Sequence, residues 1–418
     1  MESFMNLHSL FGFFILLLIT WTFSERRKAV SLRVVATGVF LQIGLAWLLL
    51  SVPVFQNFFI FLNDAVEVVQ NATRAGTAFV FGYLGGGEPP FKIEHPEKSF
   101  ILALNALPLV LVISAISSLL FHWRVLPWVV NFFSIILHRT MGVGGALGFG
   151  ASASIFLGMV EAPLLIKPYL ERMSRSELFA LMTCGMATIA GTMMALYAGI
   201  LGPTLPNAMG HIFVASIISA PAAIMTALIL IPEEGSPTEG EYSPARIDAS
   251  AMDAITRGVA EGVQLLIHII AMLVVLVALV ALTNRILGGV LPEINGAPVT
   301  LERLLGWGMA PVVWLMGIPW NEAPTAGQLM GTKTVLNEFI AYLNLAQMPD
   351  EALSPRSRLI MTYALCGFAN FGSLGIMIGG LGTMAPSRRE AIVALGMKSI
   401  LSGTLATLMT GAVVGILM

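Results

Sequence analysis

Two carboxylates stand inside sequence apolar enough to enter a membrane: Glu161 in GMVEAPLLIKP and Glu338 in TKTVLNEFIAY. Each lies in a segment interrupted by Gly, Pro or Asn and flanked by long hydrophobic runs. A charged side chain at bilayer depth costs about 2.5–3.5 kcal/mol or more, so it is retained where a substrate or ion path needs it. The chemistry open to this pair is recognition. Carboxylates accept hydrogen bonds from the hydroxyls of an uncharged solute, and Asn370, Ser373 and Thr188 add donors and acceptors in otherwise apolar spans. Broken segments in matching positions of two halves mark the binding site of a secondary transporter. Plainer roles are open to the same residues. Glu161 can rest at an interface beside Lys167, Glu338 can pair with Lys333, and single hydroxyls or amides often only join helices. Glu322, beside Asn321 in GIPWNEAP, can cap a helix or line the site. Catalytic constellations are missing: there is no HExxH and no P-loop, and none of Asp64, Asp248, Asp253 and Asp350 is central in a clear span.

The elements that must hold these residues are membrane helices. Of 418 residues, 56% are hydrophobic and 11% charged, with a mean hydropathy of +0.85. Soluble domains carry about 25% charged residues. The net charge of -2 speaks against a nucleic-acid partner, and the two cysteines, Cys184 and Cys366, lie in apolar spans and give no disulfide framework. A bilayer core needs about 20 apolar residues per helix. Eight spans are expected, near 7–24, 33–53, 100–121, 176–200, 209–231, 258–287, 357–381 and 390–417. The first has ERRK after it rather than before it, which reads as a retained helix and not a cleaved signal. Residues 55–84 and 126–140 read as interfacial helices on opposite faces, and 141–172 and 305–345 as re-entrant helical hairpins.

Basic residues set the orientation. Arg26, Arg27, Lys28 and Arg33 follow the first span; Arg124, Arg139, Lys167, Arg172 and Arg175 surround the first hairpin; Arg388 and Arg389 precede the last span. Eight spans put all three groups in the cytoplasm and both termini outside. The loop carrying Glu233, Glu234, Glu239 and Glu241 falls on the same side, and acidic residues weigh little in the rule. SRSELFALMTCGMATIAG (174–191) is similar to SRLIMTYALCGFANFGSLG (357–375), with Cys-Gly-x-Ala in each. The copies begin three spans apart, which makes the repeat inverted. The expected organisation is an all-α polytopic protein: scaffold-type helices in 1–125, a transport half in 126–231, a polar linker in 232–250, a long scaffold-type helix in 251–299 and a second transport half in 300–418.

Ordered motifs over nearly the whole chain carry a family resemblance. GMVEAP (158–163), SELFA (176–180), PWNEA (319–323), NEFIAY (337–342), CGFAN (366–370) and Ala385-Pro386 closely resemble the concentrative nucleoside transporters. The resemblance implies cation-coupled nucleoside import by an elevator-type motion, no enzymatic activity, and a homotrimer in the bacterial inner membrane. It also implies a ribose site at Glu161, Glu338, Asn370 and Ser373. Family members usually have Gly-Gln-Thr-Glu where this chain has Gly158-Met159-Val160-Glu161, and the Gln and Thr contact the base. Met159 and Val160 offer shape and apolar area instead, so purine and pyrimidine nucleosides are expected to compete within about tenfold of each other. Sodium-coupled members have Asn four residues before that Gly; here it is Ser154, while a second sodium-ligand hydroxyl is kept as Thr188. Leu157 and Ile189 supply backbone to the same region. The coupling ion expected is a proton carried by Glu161, Glu338 or Glu322, with a vestigial sodium site at Ser154 and Thr188; sodium coupling, or a nucleobase or modified nucleoside as cargo, are the alternatives.

Overall fold

Helices with caps and breaks written into the sequence make up the chain. The computed structural model describes residues 2–92, 100–235, 237–238, 248–294 and 296–418. Among the described residues, the one β-type pairing is an isolated antiparallel bridge between Ile294 and Ala297. Helix α1 (Glu2–Thr22), α2 (Leu32–Ser51) and α3 (Pro53–Phe81) open the chain, followed by α4 (Leu102–Asn105), α5 (Leu109–His122) and α6 (Val125–Met141). Next come a short pair, α7 (Gly145–Ala153) with α8 (Glu161–Leu164) and α9 (Lys167–Leu170), then a broken helix, α10 (Arg175–Ala187) and α11 (Gly191–Leu201), then the long α12 (Ala208–Leu230). After α13 (Ala251–Val290) and α14 (Leu301–Trp314) the same order recurs. The pair is α15 (Ala323–Val335) with α16 (Glu338–Gln347), the broken helix α17 (Pro355–Leu365) with α18 (Phe371–Met384), and the long helix α19 (Arg389–Leu417). Most of the linker expected at 232–250, with Glu239 and Glu241, lies outside the described residues.

Seven of the described helical segments are long and apolar enough to cross a membrane. One expected span, 357–381, is corrected to two helices. Asn370 adopts extended backbone and its side chain accepts from the Ser373 N–H, so it caps a new helix instead of continuing the old one. The span expected at 176–200 is interrupted in the same way, where Thr188 is extended. The two breaks lie back to back: a Cβ on Gly367 would come within 2.9 Å of the carbonyl oxygens of Met186 and Ala187, so only glycine admits that approach. The hairpin expected over 305–345 also divides. Helix α14 ends near Gly317, whose positive φ of 95° turns the chain, and the pair with its turn at Leu336 and Asn337 is α15–α16.

Packing separates two kinds of helix. Nearly all of α12 is buried, including Pro221 within it. By contrast α13, 40 residues long, buries only Ala254, Gly258 and Gly262, a small-residue stripe against α5. Added bulk on Gly258 would press into the Ser114 carbonyl and Ser118 hydroxyl of α5. Helices α1 and α2 pack on α19 and α12. There, Gln42 donates to Thr410 Oγ1 at 3.2 Å, and Thr410 also meets Ser219 at 3.0 Å. Interhelical bonds of this kind replace the hydrophobic drive that lipid removes. Cys184 and Cys366 are free and buried.

The basic groups gather at one end. Arg175 donates to both Glu25 oxygens, at 2.6 and 2.9 Å, and Lys398 pairs with the same carboxylate. The Arg175 hydrogen bonds, joined by Lys398, hold the Glu25 carboxyl down at about 2. Arg388 donates to the Met173 carbonyl at 2.7 Å, and Arg26 pairs with Glu234 at 2.5 Å.

Candidate functional site

Glu161 and Glu338 are each the first residue of the helix that follows a turn, α8 and α16. In an ordinary helix this turn leaves backbone N–H groups free, which favours a negative side chain. Asn337 caps α16 by accepting from the Ile340 N–H. Glu161 opens outward, and its carboxylate folds back over Gly158 into the space a Cβ there would take.

Glu338 is 4% exposed and is held on both oxygens. The Tyr197 hydroxyl donates to Oε1 at 2.7 Å, and Asn370 Nδ2 donates to Oε2 at 2.8 Å. The Asn370 amide cannot flip without cost, because its Oδ1 accepts from Ser373 N at 2.8 Å. One side chain therefore fixes both the helix break and the carboxylate. Tyr197 sits on α11, fully buried, its ring 4.8 Å from that of Tyr342. Nothing in sequence spacing links Tyr197 to Glu338, 141 residues away. Tyr197→Phe should leave the fold intact and weaken substrate binding about three- to tenfold, because the carboxylate loses one orienting donor. Uptake measured against substrate concentration checks this; an unchanged KM would show that Tyr197 does not orient Glu338.

Lys333 does not pair with Glu338. It is fully buried and donates to the Ala364 carbonyl at 2.8 Å and to Thr407 Oγ1 at 2.9 Å. Glu322 lies apart from the carboxylates: its Oε2 accepts from Ser354 N at 3.2 Å and Ser354 Oγ at 3.1 Å, tying the start of α15 to the start of α17.

All seven residues expected at the substrate site, Gly158, Met159, Val160, Glu161, Glu338, Asn370 and Ser373, line one cavity of about 190 Å³. Ala190, Thr192 and Met193 at the α10–α11 break, residues beside Glu338 and Asn370, and one face of α13 complete its wall. A second cavity of about 180 Å³ shares Gly158, Glu161 and Ala190 with the first and is also lined by Leu157. Of the other residues considered for the cation, Ser154 and Thr188 are buried, and each hydroxyl donates to a carbonyl of its own helix, Gly150 at 2.9 Å and Cys184 at 2.8 Å. Ile189 is buried beside Thr188. The first turn is stitched to the break after α10 by Gly191 N donating to the Phe156 carbonyl at 2.8 Å.

A carboxylate-bearing cavity at paired helix breaks within membrane-length helices defines a membrane carrier. Residues 211–415 match the family described as "Na+ dependent nucleoside transporter C-terminus", residues 11–84 its N-terminal counterpart, and residues 103–204 the family described as "Nucleoside recognition". An uncharacterized transporter of Haemophilus influenzae is 36% identical, covering 98% of this chain and 97% of that one. The nucleoside permease NupC of Helicobacter pylori is 34% identical, covering 99% and 98%. The structure of CNTnw in an inward-facing substrate-bound state superposes with a TM-score of 0.89 at 33% identity, covering 99% of this chain and 97% of that one. The chain belongs to the concentrative nucleoside transporter family, whose members are permeases and not enzymes.

Proposed function

We propose that this chain imports nucleosides across the bacterial inner membrane, coupled to proton entry, by an elevator-type alternating access. The observation that carries the reading is one cavity that gathers Glu161 and Glu338 from the two helix pairs with Asn370 and Ser373 from the α17–α18 break. Glu338, Glu161, Asn370 and Ser373 take the ribose hydroxyls, and Met159 and Val160 form an apolar wall for the base. The two helix pairs act as re-entrant hairpins of an inverted repeat, and 232–250 links the halves. We assign α5 and α13 to the scaffold. Helices α1 and α2 move with the transport unit, a boundary supported by their packing on α12 and α19. The apolar length of α13, exposed in one chain, fits a homotrimer contact and lipid. The end that gathers Glu25, Arg175 and Arg388 faces the cytoplasm, and both termini face outward.

Proton coupling rests on Ser154. A sodium site replaces a hydration shell with several oxygens, and a serine hydroxyl is a shorter and weaker ligand than an asparagine amide carbonyl. Thr188 and the sodium-dependent family description favour the sodium reading. Of the three proton candidates, Glu161 and Glu338 line the cavity and Glu322 does not. Uptake into proteoliposomes should proceed on an imposed pH gradient without sodium. Activity only when sodium is supplied, and indifferent to collapse of the proton gradient, would overturn this coupling.

A further inference from the structure

Helix α13 presents one continuous face to the cavity: Leu265, His268, Ile269, Met272, Leu273 and Leu276. Their spacing by threes and fours is that of a single helical stripe. Five are apolar, and His268 is the one polar side chain α13 contributes. It is exposed to the cavity and has no hydrogen bond to another described residue. An imidazole in an apolar face gains by finding a partner there. The polar residues that face the same space from the other elements are Glu161, Thr192, Asn337, Glu338, Asn370 and Ser373. Glu338 and Asn370 hold each other and Asn337 Oδ1 caps α16, while Met159 and Val160, at the positions assigned to the base, offer no N–H or O–H donor.

We propose that His268 is a specificity-determining residue that hydrogen-bonds the edge of the nucleobase, from the scaffold side, where the hairpin side chains Met159 and Val160 cannot. A neutral imidazole has one N–H donor and one ring-nitrogen acceptor. It can therefore meet a base carbonyl or an amino-substituted edge, which keeps purines and pyrimidines both acceptable. The ribose remains with Glu161, Glu338, Asn370 and Ser373, so base and sugar are read from opposite walls. This inference rests on the nucleoside reading above.

The test is competition against uridine or adenosine uptake by the full-length transporter in proteoliposomes. Two competitors lack a base-edge group, pyrimidin-2-one riboside and purine riboside, and one lacks a sugar hydroxyl, 3′-deoxyuridine. The unsubstituted protein should bind the edge-less analogues about three- to tenfold more weakly than their parents, the worth of one neutral hydrogen bond. His268→Phe keeps the ring area and removes both ring nitrogens; it should bring those ratios within about twofold while leaving the 3′-deoxyuridine penalty unchanged. His268→Gln, which keeps a donor and an acceptor, should retain most of the discrimination, and His268→Leu substitutes for His268→Phe if the latter does not assemble. Ratios that persist in His268→Phe or His268→Leu, or an unsubstituted protein blind to the base edge, would overturn the proposal and leave the nucleoside reading standing. An unsubstituted protein that transports no nucleoside would remove both.

Discussion

Glu338→Gln should abolish most nucleoside uptake while the protein still folds and assembles. The reason lies in its two partners. Asn370 must donate, because its oxygen is committed to Ser373 N, so the new amide must turn its oxygen to Asn370 and its NH2 towards Tyr197. A tyrosine hydroxyl can turn from donor to acceptor. The local hydrogen bonds therefore survive the exchange, and what is lost is the charged acceptor for a ribose hydroxyl. A hydrogen bond to a charged group is worth about 1.5–3 kcal/mol, so affinity should fall roughly ten- to a hundredfold. Glu161→Gln should act in the same direction from the other helix pair. Labelled uptake in proteoliposomes, run beside size-exclusion profiles of both variants, measures the effect. Near-normal uptake by both would remove the carboxylates from the site.

Lys333→Ala should lower stability by about 3 kcal/mol or more, from a cavity and from orphaned polar groups together. The Ala364 carbonyl lies in the last turn of α17, where intrahelical donors run out, and the Lys333 ammonium supplies one. The same ammonium reaches Thr407 on α19, so the residue joins α15, the broken helix and the last long helix at one point. Lys333→Met refills most of the volume without the donors and should lose about 1–3 kcal/mol, isolating the hydrogen-bond part. Thermal unfolding in detergent separates the three proteins. If both variants melt with the unsubstituted protein, Lys333 is not a structural link.

Some of this was legible in the residues alone. Glu161, Glu338, Asn370 and Ser373 announce themselves because charge and amide groups are expensive in apolar sequence, and the break beside each is written in Gly, Pro and Asn. Hydropathy marks the long spans for the same reason: a helix in lipid must be apolar over its whole length. The tertiary structure alone decided which polar groups meet. Tyr197 and Lys333 each look like a single tolerated residue in its own helix, because their partners lie on other elements, 141 residues away for Tyr197 and Glu338. Lys333 is the cation nearest Glu338 in sequence, so an ion pair with it was open to the residues alone, yet the ammonium turns to the open end of α17. The division of 357–381 and the attachment of α1 and α2 to α12 and α19 escaped the sequence for a related reason. Composition reports how much of a helix can enter lipid; only packing determines where its backbone stops and which neighbours cover it.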